Sequence, residues 1–437
     1  MTNKSNINLK LSWDKDVIPA KTETERSLLI ELKANESSIN KKKERQAVNL
    51  ALVIDRSGSM QGSPIEAAKS AAIQIAEKLN SQDRLSLVTF DSEVDMLFSN
   101  VQMNEEGSSY AKGLISEIYA GGTTNLSGGW FEGARCVTKA IDEGAFKNGF
   151  VMVLSDGMAN DGIQDPNELN NHASELASRG VQSSSIGIGA HYSPLQLDAL
   201  AEGGRGRLHH TETADDIIDV VLGELGEIGN TVAKNIKLNI HHPDSVQLKC
   251  LSKMKFIKSG NYFQIKVGNL QLEQTKSIAL ISSINKYLEG SKVTFESHIT
   301  WEDIETGEVH ESPVTNSTLK VVSKIESEKT SIDNEVVKKV ADIWEASIAY
   351  ESIIFNEQNQ FERASSLYDD NSIAFGYMVD SLVDSDARIN RFNSAQKKVS
   401  KIWQGRSKRG AYSSMKKCVM SEPDLRQRDP GSWHDDI

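Results

Sequence analysis

Three separated segments of the chain combine apolar residues with side chains that carry oxygen. The first is Asp55-Arg56-Ser57-Gly58-Ser59, which follows the apolar run from Val48 to Ile54. A strand that ends in one carboxylate and two hydroxyls is typical of an oxygen-ligand site for a hard divalent cation. No cysteine or histidine lies among these residues, so Mg²⁺ or Mn²⁺ is indicated rather than zinc. Ca²⁺ is less favoured because few carboxylates are offered.

The other two segments end or begin predicted elements in the same way. Gly121 to Gly129 reads Gly-Gly-Thr-Thr-Asn-Leu-Ser-Gly-Gly and predicts a loop that opens a helix. Phe150 to Leu154 predicts a second buried strand, and it ends on Ser155-Asp156-Gly157. A lone Asp-x-Ser-x-Ser sequence is weak evidence, because Asp and Ser are common in turns and helix N-caps. Three such segments in order are far more specific.

Together the three segments resemble the von Willebrand factor A family and its metal-ion-dependent adhesion site. The resemblance covers roughly residues 45–225 of the sequence. Thr124 is preferred to the adjacent Thr123 because the family pattern places its ligand just before the asparagine. By motif, the resemblance implies the metal ligands Asp55, Ser57, Ser59, Thr124 and Asp156.

The same resemblance implies a function in binding rather than catalysis. A Mg²⁺ ion held mainly by hydroxyls and water keeps its electrophilic character, so an outside carboxylate can occupy its open position. We therefore expect a metal-dependent protein–protein interaction module that binds an aspartate or glutamate of a partner protein. In the expected mechanism Asp55 is the fixed anionic ligand, directly or through a water molecule, and Asp156 holds a coordinated water.

Two alternatives stay open. A metal-dependent hydrolase would use His191 as a general base beside Asp91 and the metal, as in phosphoester hydrolysis. Against it, Ser57 stands where a phosphotransfer site needs a second carboxylate. In the other alternative the segment that resembles the von Willebrand factor A family is a passive scaffold of a larger complex, and the C-terminal helices bind the partner.

Composition narrows the class of protein. With 61 acidic and 49 basic residues the net charge of −12 works against a nucleic-acid partner, whose affinity depends on Lys and Arg at phosphates. There is no apolar run of membrane-spanning length and no hydrophobic leader, so a cytoplasmic protein without a membrane span is expected. Three distant cysteines suggest neither a zinc site nor a disulfide framework. The oligomeric state is not indicated.

The elements that position the site alternate between short apolar runs and helical patterns over residues 45–228. Such βα units predict a doubly wound, mostly parallel sheet with helices on both faces, a Rossmann-like fold. In such sheets ligands bind beyond the carboxyl ends of the strands, where the winding reverses. Asp55 and Asp156 both follow predicted strands, so the fold and the motif indicate one crevice.

The flanking segments differ from this α/β pattern. Period-two alternation in residues 1–44 and 229–326 predicts one β-sandwich into which the α/β domain is inserted. Residues 327–404 have helical spacing and predict a helical hairpin or small bundle. Residues 405–437 lack sustained periodicity and predict a flexible tail.

Overall fold

The computed structural model describes residues 7–34, 47–189, 191–272, 274–303, 307–403 and 406–421. In chain order the strands are β1 (Ile7–Trp13), β2 (Val17–Pro19), β3 (Thr24–Ala34), β4 (Asn49–Asp55), β5 (Arg84–Phe90), β6 (Val94–Gln102), β7 (Gly149–Ser155), β8 (Val181–Ile188), β9 (Arg205–Thr211), β10 (Thr231–His241), β11 (Val246–Cys250), β12 (Phe256–Ser259), β13 (Tyr262–Gln271), β14 (Thr275–Ile284), β15 (Lys292–Glu302), β16 (Val309–Glu311) and β17 (Thr315–Val322). The helices are α1 (Ser63–Lys78), α2 (Glu105–Ser116), α3 (Leu126–Asp142), α4 (Pro166–Ser178), α5 (Pro194–Gly203), α6 (Ala214–Asn230), α7 (Lys324–Lys329), α8 (Asn334–Glu357), α9 (Phe361–Val379), α10 (Ser385–Val399) and α11 (Arg406–Met420).

The middle of the chain forms a six-stranded sheet with the order β6-β5-β4-β7-β8-β9. Its strands pair in parallel, except that β6 runs antiparallel to β5. Helices α1, α2 and α6 cover one face, and α3, α4 and α5 cover the other. Every residue of β4 is buried, because a strand covered on both faces meets apolar partners on each side. The predicted doubly wound α/β fold is confirmed.

The winding of this sheet reverses between β4 and β7. From β4 the chain proceeds to β5 on one side, and the later strands β7, β8 and β9 lie on the other side. Asp55 is the last residue of β4, and Asp156 directly follows β7. The two predicted carboxylate ligands therefore lie beyond the carboxyl ends of adjacent strands at the switch point, where ligands bind in such folds.

The strands before and after the α/β domain form two further sheets, which we call the two-sheet unit. One sheet has the order β1-β3-β14-β11, and the other has the order β12-β13-β10-β15-β17-β2, with β16 beside β15. Strand β3 pairs with β14 along its length, and β2 pairs with β17, so the two flanks of the chain share both sheets. Apolar side chains of both sheets belong to one buried cluster.

The four long C-terminal helices, α8 to α11, form a helical unit built around α8. Helix α8 packs against α9, α10 and α11, and its apolar side chains join the core on one face of the α/β domain. This confirms the predicted C-terminal helices. None of the helices described here is both long and apolar enough to cross a membrane.

The predicted flexible tail is wrong for residues 406–421. Residues 406–420 form α11, whose side chains are largely buried against α8 and the α/β domain. The apolar positions of this helix, Ala411, Tyr412, Met415 and Val419, join the core, and charged groups make further docking contacts: Lys408 pairs with Glu357, and Lys416 pairs with Asp198. Residues 422–437 of the predicted tail lie outside the described residues.

Candidate metal centre

Asp55 and the two serines of the motif lie in the tight turn that follows β4. The carboxylate Oδ1 of Asp55 accepts a hydrogen bond from the backbone N–H of Ser57 at 2.8 Å. A single 3₁₀ turn over Gly58–Met60 follows, and the hydroxyl oxygens of Ser57 and Ser59 lie 3.1 Å apart. The Asp-x-Ser-x-Ser spacing therefore gathers one carboxylate and two hydroxyls in one turn.

Side-chain hydrogen bonds join this turn to the end of β7. The hydroxyl of Ser59 donates to Oδ1 of Asp156 at 2.7 Å. The hydroxyl of Ser155 donates to Oδ2 of Asp55 at 2.5 Å and accepts from the backbone N–H of Gly157 at 3.2 Å. The two predicted carboxylates thus border the same crevice.

Thr124 reaches the crevice from the loop before α3. Its backbone N–H donates to Oδ1 of Asn160 at 2.8 Å, and its carbonyl accepts from the backbone N–H groups of Asn160 and Asp161. The backbone N–H of Gly58 donates to the carbonyl of Gly122 at 3.1 Å, which ties this loop to the turn after β4. The loop is therefore held from both sides of the crevice.

Gly157 marks the space on which the oxygen atoms converge. A methyl group on its Cα would lie 3.1 Å from Oγ of Ser59, 3.4 Å from Oγ1 of Thr124 and 3.6 Å from Oδ2 of Asp55. Three chain segments thus surround one small space with oxygen atoms, as a small, hard cation requires. Hydroxyls are essential to this donor set, since the described residues contain no group of three or more His, Cys, Asp or Glu side chains arranged for a metal.

Both carboxylates are buried in the crevice. Asp55 is 0% exposed; burial raises its pKa to about 6 despite hydrogen bonds from Ser155 and Ser57. Burial also raises the pKa of Asp156, while its hydrogen bond from Ser59 and the charge of His191 lower it. Within the described residues, no lysine or arginine forms an ion pair with either carboxylate. Such underbalanced negative charge favours a bound cation.

Arg56, inside the motif, is engaged by other acids. Its Nε lies 3.1 Å from Oδ2 of Asp91, and its guanidinium also pairs with Asp95 at 2.7 Å. The other carboxylate oxygen of Asp91 accepts the backbone N–H of Glu93 at 2.7 Å. Asp91 therefore forms a turn and an ion pair at the side of the crevice, and Arg56 is not directed at Asp55.

His191, on which the hydrolytic alternative depends, is exposed. It lies close enough to Asp156 for its charge to lower the pKa of that carboxyl. The next residue, Tyr192, is fully buried instead, and its hydroxyl lies 3.3 Å from Nδ1 of His210. His191 thus belongs to the exposed edge of the site.

Three supporting residues were not predicted from the sequence. Ser155 directly precedes Asp156, so its place in the motif offered a signal for its bond to Asp55. Asn160 and Gln196 offered none, because they act across 36 and 37 residues of sequence. Gln196 accepts the backbone N–H of Ala159 at 3.0 Å and donates to the carbonyl of the same residue at 3.4 Å.

Comparison with known proteins agrees with the fold. Residues 49–221 match the family model of the von Willebrand factor type A domain. An uncharacterized protein of Synechocystis is 24% identical over 277 residues, which are 61% of this chain and 64% of that protein. The uncharacterized protein YfbK of Escherichia coli is 25% identical over 228 residues, which are 52% of this chain and 38% of that protein. The chain thus spans less than two thirds of the length of either relative.

One solved structure extends the likeness to the whole chain. The structure titled von Willebrand factor type A from Catenulispora acidiphila superposes with a TM-score of 0.63, covering 98% of this chain and 99% of that one. At 14% sequence identity this likeness concerns the fold alone. Residues 49–221 are therefore a von Willebrand factor type A domain, and the chain belongs to the proteins that carry this domain.

Proposed function

We propose that the crevice binds a divalent cation and that the bound ion captures an aspartate or glutamate of a partner protein. The observation that carries the proposal is the convergence of carboxylate and hydroxyl oxygens around Gly157. Von Willebrand factor type A domains are in general metal-dependent protein–protein interaction modules, which gives the function in outline. The proposed ligands are Asp55, Ser57, Ser59, Thr124 and Asp156.

The donor set favours Mg²⁺, with Mn²⁺ or Ca²⁺ as alternatives. Mg²⁺ prefers six oxygen ligands, gives up its water reluctantly and is usually bound by only one or two carboxylates. With Asp156 holding a coordinated water, the direct donors Asp55, Ser57, Ser59 and Thr124, that water and one outside oxygen would make six ligands. Ca²⁺ usually takes more oxygen ligands, so it fits this set less well.

The residues of the chain prepare the site for the partner. Asp156 orients the hydroxyl of Ser59, and Asn160 fixes the backbone of Thr124. When bound, the cation supplies a positive centre for the carboxylate of the partner. That contact is charge-assisted and partly desolvated, so its loss should cost on the order of a few kcal/mol of binding free energy.

Thermal unfolding in the presence of Mg²⁺ tests the metal site. At a concentration of about 100 times the Kd, a ligand of the folded state stabilises it by about 2.7 kcal/mol, so the Tm of the wild type should rise. Asp55→Ala should abolish the rise. Asp95→Ala is the matched control, because Asp95 is a nearby, half-exposed aspartate that pairs with Arg56. An equal rise in wild type and Asp55→Ala would refute the site.

A pull-down tests the captured partner. Wild-type protein in Mg²⁺ should retain a partner that EDTA releases and that Asp55→Ala does not retain. Retention in EDTA would contradict capture through the ion and favour the scaffold alternative. Turnover of phosphate or carboxylic esters in Mg²⁺ or Mn²⁺, lost in His191→Ala, would favour the hydrolase alternative instead.

A further inference from the structure

Helix α11 is almost completely enclosed, and it buries both apolar side chains (Ala411, Tyr412, Met415 and Val419) and an unusual number of polar ones. Its buried side chains include three lysines and two serines: Lys408, Lys416, Lys417, Ser413 and Ser414. A helix enclosed on all sides is normally apolar all round. The buried Nε of Arg409 and Oγ of Ser413 also lack hydrogen-bond partners among the residues that the structure describes. Polar groups without hydrogen-bond partners destabilise an enclosed position. We therefore expect the docked position of α11 to be less stable than that of an apolar helix.

The contact of α11 with the α/β domain centres on Asp198 of α5. Lys416 of α11 pairs with Oδ1 of this buried carboxylate, and the hydroxyl of Tyr412 donates to Oδ2 at 2.6 Å. Tyr350 of α8 donates to the same oxygen at 3.2 Å. Burial raises the pKa of both tyrosine hydroxyls, so both stay neutral donors. Two of the three groups around Asp198 thus come from α11.

A second contact of α11 lies just before α5. The guanidinium of Arg409 lies 5.6 Å from the ring centre of Tyr192 and pairs with Glu357 of α8. The ring of Tyr192 packs on Gly187 so closely that a methyl group there would lie 2.3 Å from it. Helix α11 therefore touches both α5 and the segment that leads into it.

Helix α5 in turn holds the loop of residues 157–164 beside the metal crevice. Gln196, two residues before Asp198, bonds both backbone groups of Ala159 and the carbonyl of Gln164. Within the same loop, Asn160 bonds the backbone of Thr124. A continuous series of polar contacts thus runs from α11 through α5 to a proposed metal ligand.

We propose that α11 is a releasable segment whose docking on α5 sets the cation affinity of the crevice. The proposal rests on the metal site proposed above. Docked α11 fixes α5, and α5 fixes the loop that positions Thr124 and follows Asp156. Because binding linkage is reciprocal, the cation strengthens the docking of α11 by the same factor. Release exposes lysine, arginine and serine side chains, which water solvates well, together with the apolar side chains of Ala411, Tyr412, Met415 and Val419.

Titration with Mg²⁺ alone tests the coupling in the full-length chain. Tyr412→Phe removes one hydroxyl from Asp198 and keeps the packed ring, and Lys416→Met removes the cation. Each should weaken the Kd for Mg²⁺ about fivefold or more, within the usual range of coupling between sites. Lys397→Met on the exposed surface of α10 is the matched control and should leave the Kd unchanged.

Hydrogen exchange of the amides of residues 407–420 gives a second readout that needs no substitution in α11. Saturating Mg²⁺ should slow their exchange, and Asp55→Ala should abolish that effect. If wild type binds Mg²⁺ but the Kd of Tyr412→Phe and the exchange of α11 stay unchanged, the coupling is refuted and the metal site stands. If wild type does not bind Mg²⁺, the proposed function itself fails.

Discussion

Two acids of the α/β domain, Glu224 and Asp55, differ in the charges that surround them. Around Glu224 of α6, Arg207 lies 3.0 Å and His209 lies 2.7 Å from Oε1, and Ser184 donates to Oε2 at 2.6 Å. Burial raises the pKa of Glu224, but the charge of Arg207 and the hydrogen bonds lower it to about 2. Within the described part of the chain, the donors to Asp55 are an amide and hydroxyls, and burial raises its pKa to about 6.

The difference separates a structural carboxylate from one suited to an external ion. Glu224 has its cation within the protein, so it has little to gain from a metal. Asp55 is more deeply buried, and no lysine or arginine among the described residues pairs with it. Perturbed carboxyl groups of this second kind cluster at functional sites. The burial of an acid is therefore less informative than the charge of its neighbours.

The largest expected effect is the loss of stability on substitution of Glu224, the acid that is paired with Arg207. Glu224→Gln leaves Arg207 buried with less compensation, and it should lower the free energy of unfolding by about 3 kcal/mol. Its affinity for Mg²⁺ should not change. Denaturant unfolding and Mg²⁺ titration measure the two quantities. Glu175→Gln, which breaks an exposed pair with Arg179, is the control and should cost less than about 1 kcal/mol. Equal losses in both variants would contradict the comparison.

For Asp55, which has no paired lysine or arginine among the described residues, we expect substitution to increase stability. Asp55→Asn removes a buried charge while its amide can still accept from the Ser57 backbone and donate to the Ser155 hydroxyl. At pH 8 in EDTA, we expect the free energy of unfolding to rise by about 1 to 3 kcal/mol, the scale of a two-unit pKa shift. Affinity for Mg²⁺ should be lost. A variant less stable than the wild type would show that Asp55 is balanced by another group.

The gain in Asp55→Asn should depend on pH. Because the folded state raises the pKa of Asp55 from 3.8 to about 6, this group contributes stability below about pH 4 that is lost as the pH rises through 6. The difference in unfolding free energy between variant and wild type should thus be small at pH 4 and reach a plateau above pH 7. His209, whose pKa burial lowers to about 4, destabilises both proteins equally in acid and cancels. A difference independent of pH would contradict the assignment.

A smaller effect is expected from one methyl group in the crevice. Gly157→Ala places a carbon within 3.1 to 3.6 Å of three proposed donor oxygens, where the ion should bind. Affinity for Mg²⁺ should fall about tenfold, or about 1.4 kcal/mol. Gly121→Ala is the control, because a methyl group there meets no atom within 4 Å. Calorimetric titration of both variants measures the difference. Equal affinities would show that the ion does not bind beside Gly157.

The central sheet was predictable because its strands are covered on both faces. Such strands read as unbroken apolar runs, as in β4, and their ends mark the places where Asp55 and Asp156 emerge. The geometry of the turn also follows from sequence, since Ser57 and Ser59 are only two residues apart. What holds Thr124 does not, because Asn160 acts from a loop far along the chain.

Helix α11 shows the limit of periodicity more clearly. Beside the apolar Ala411, Met415 and Val419, its buried positions include Lys416 and Tyr412, whose polar groups contact Asp198. Asp198 lies in α5, 218 residues before Lys416 in the sequence. No pattern within residues 405–437 could indicate it, so a polar helix was predicted to be a flexible tail.

The junction between α6 and β10 has a mechanical consequence. Helix α6 ends at Asn230 and β10 begins at Thr231, with no intervening residue. Gln271 of β13 also donates to Glu227 in the last turn of α6 at 2.8 Å. Tilting one body against the other would therefore shear backbone pairs or unwind a helical turn. If the α/β domain holds a partner as proposed, we expect a load on it to pass through this junction into the strands of the two-sheet unit.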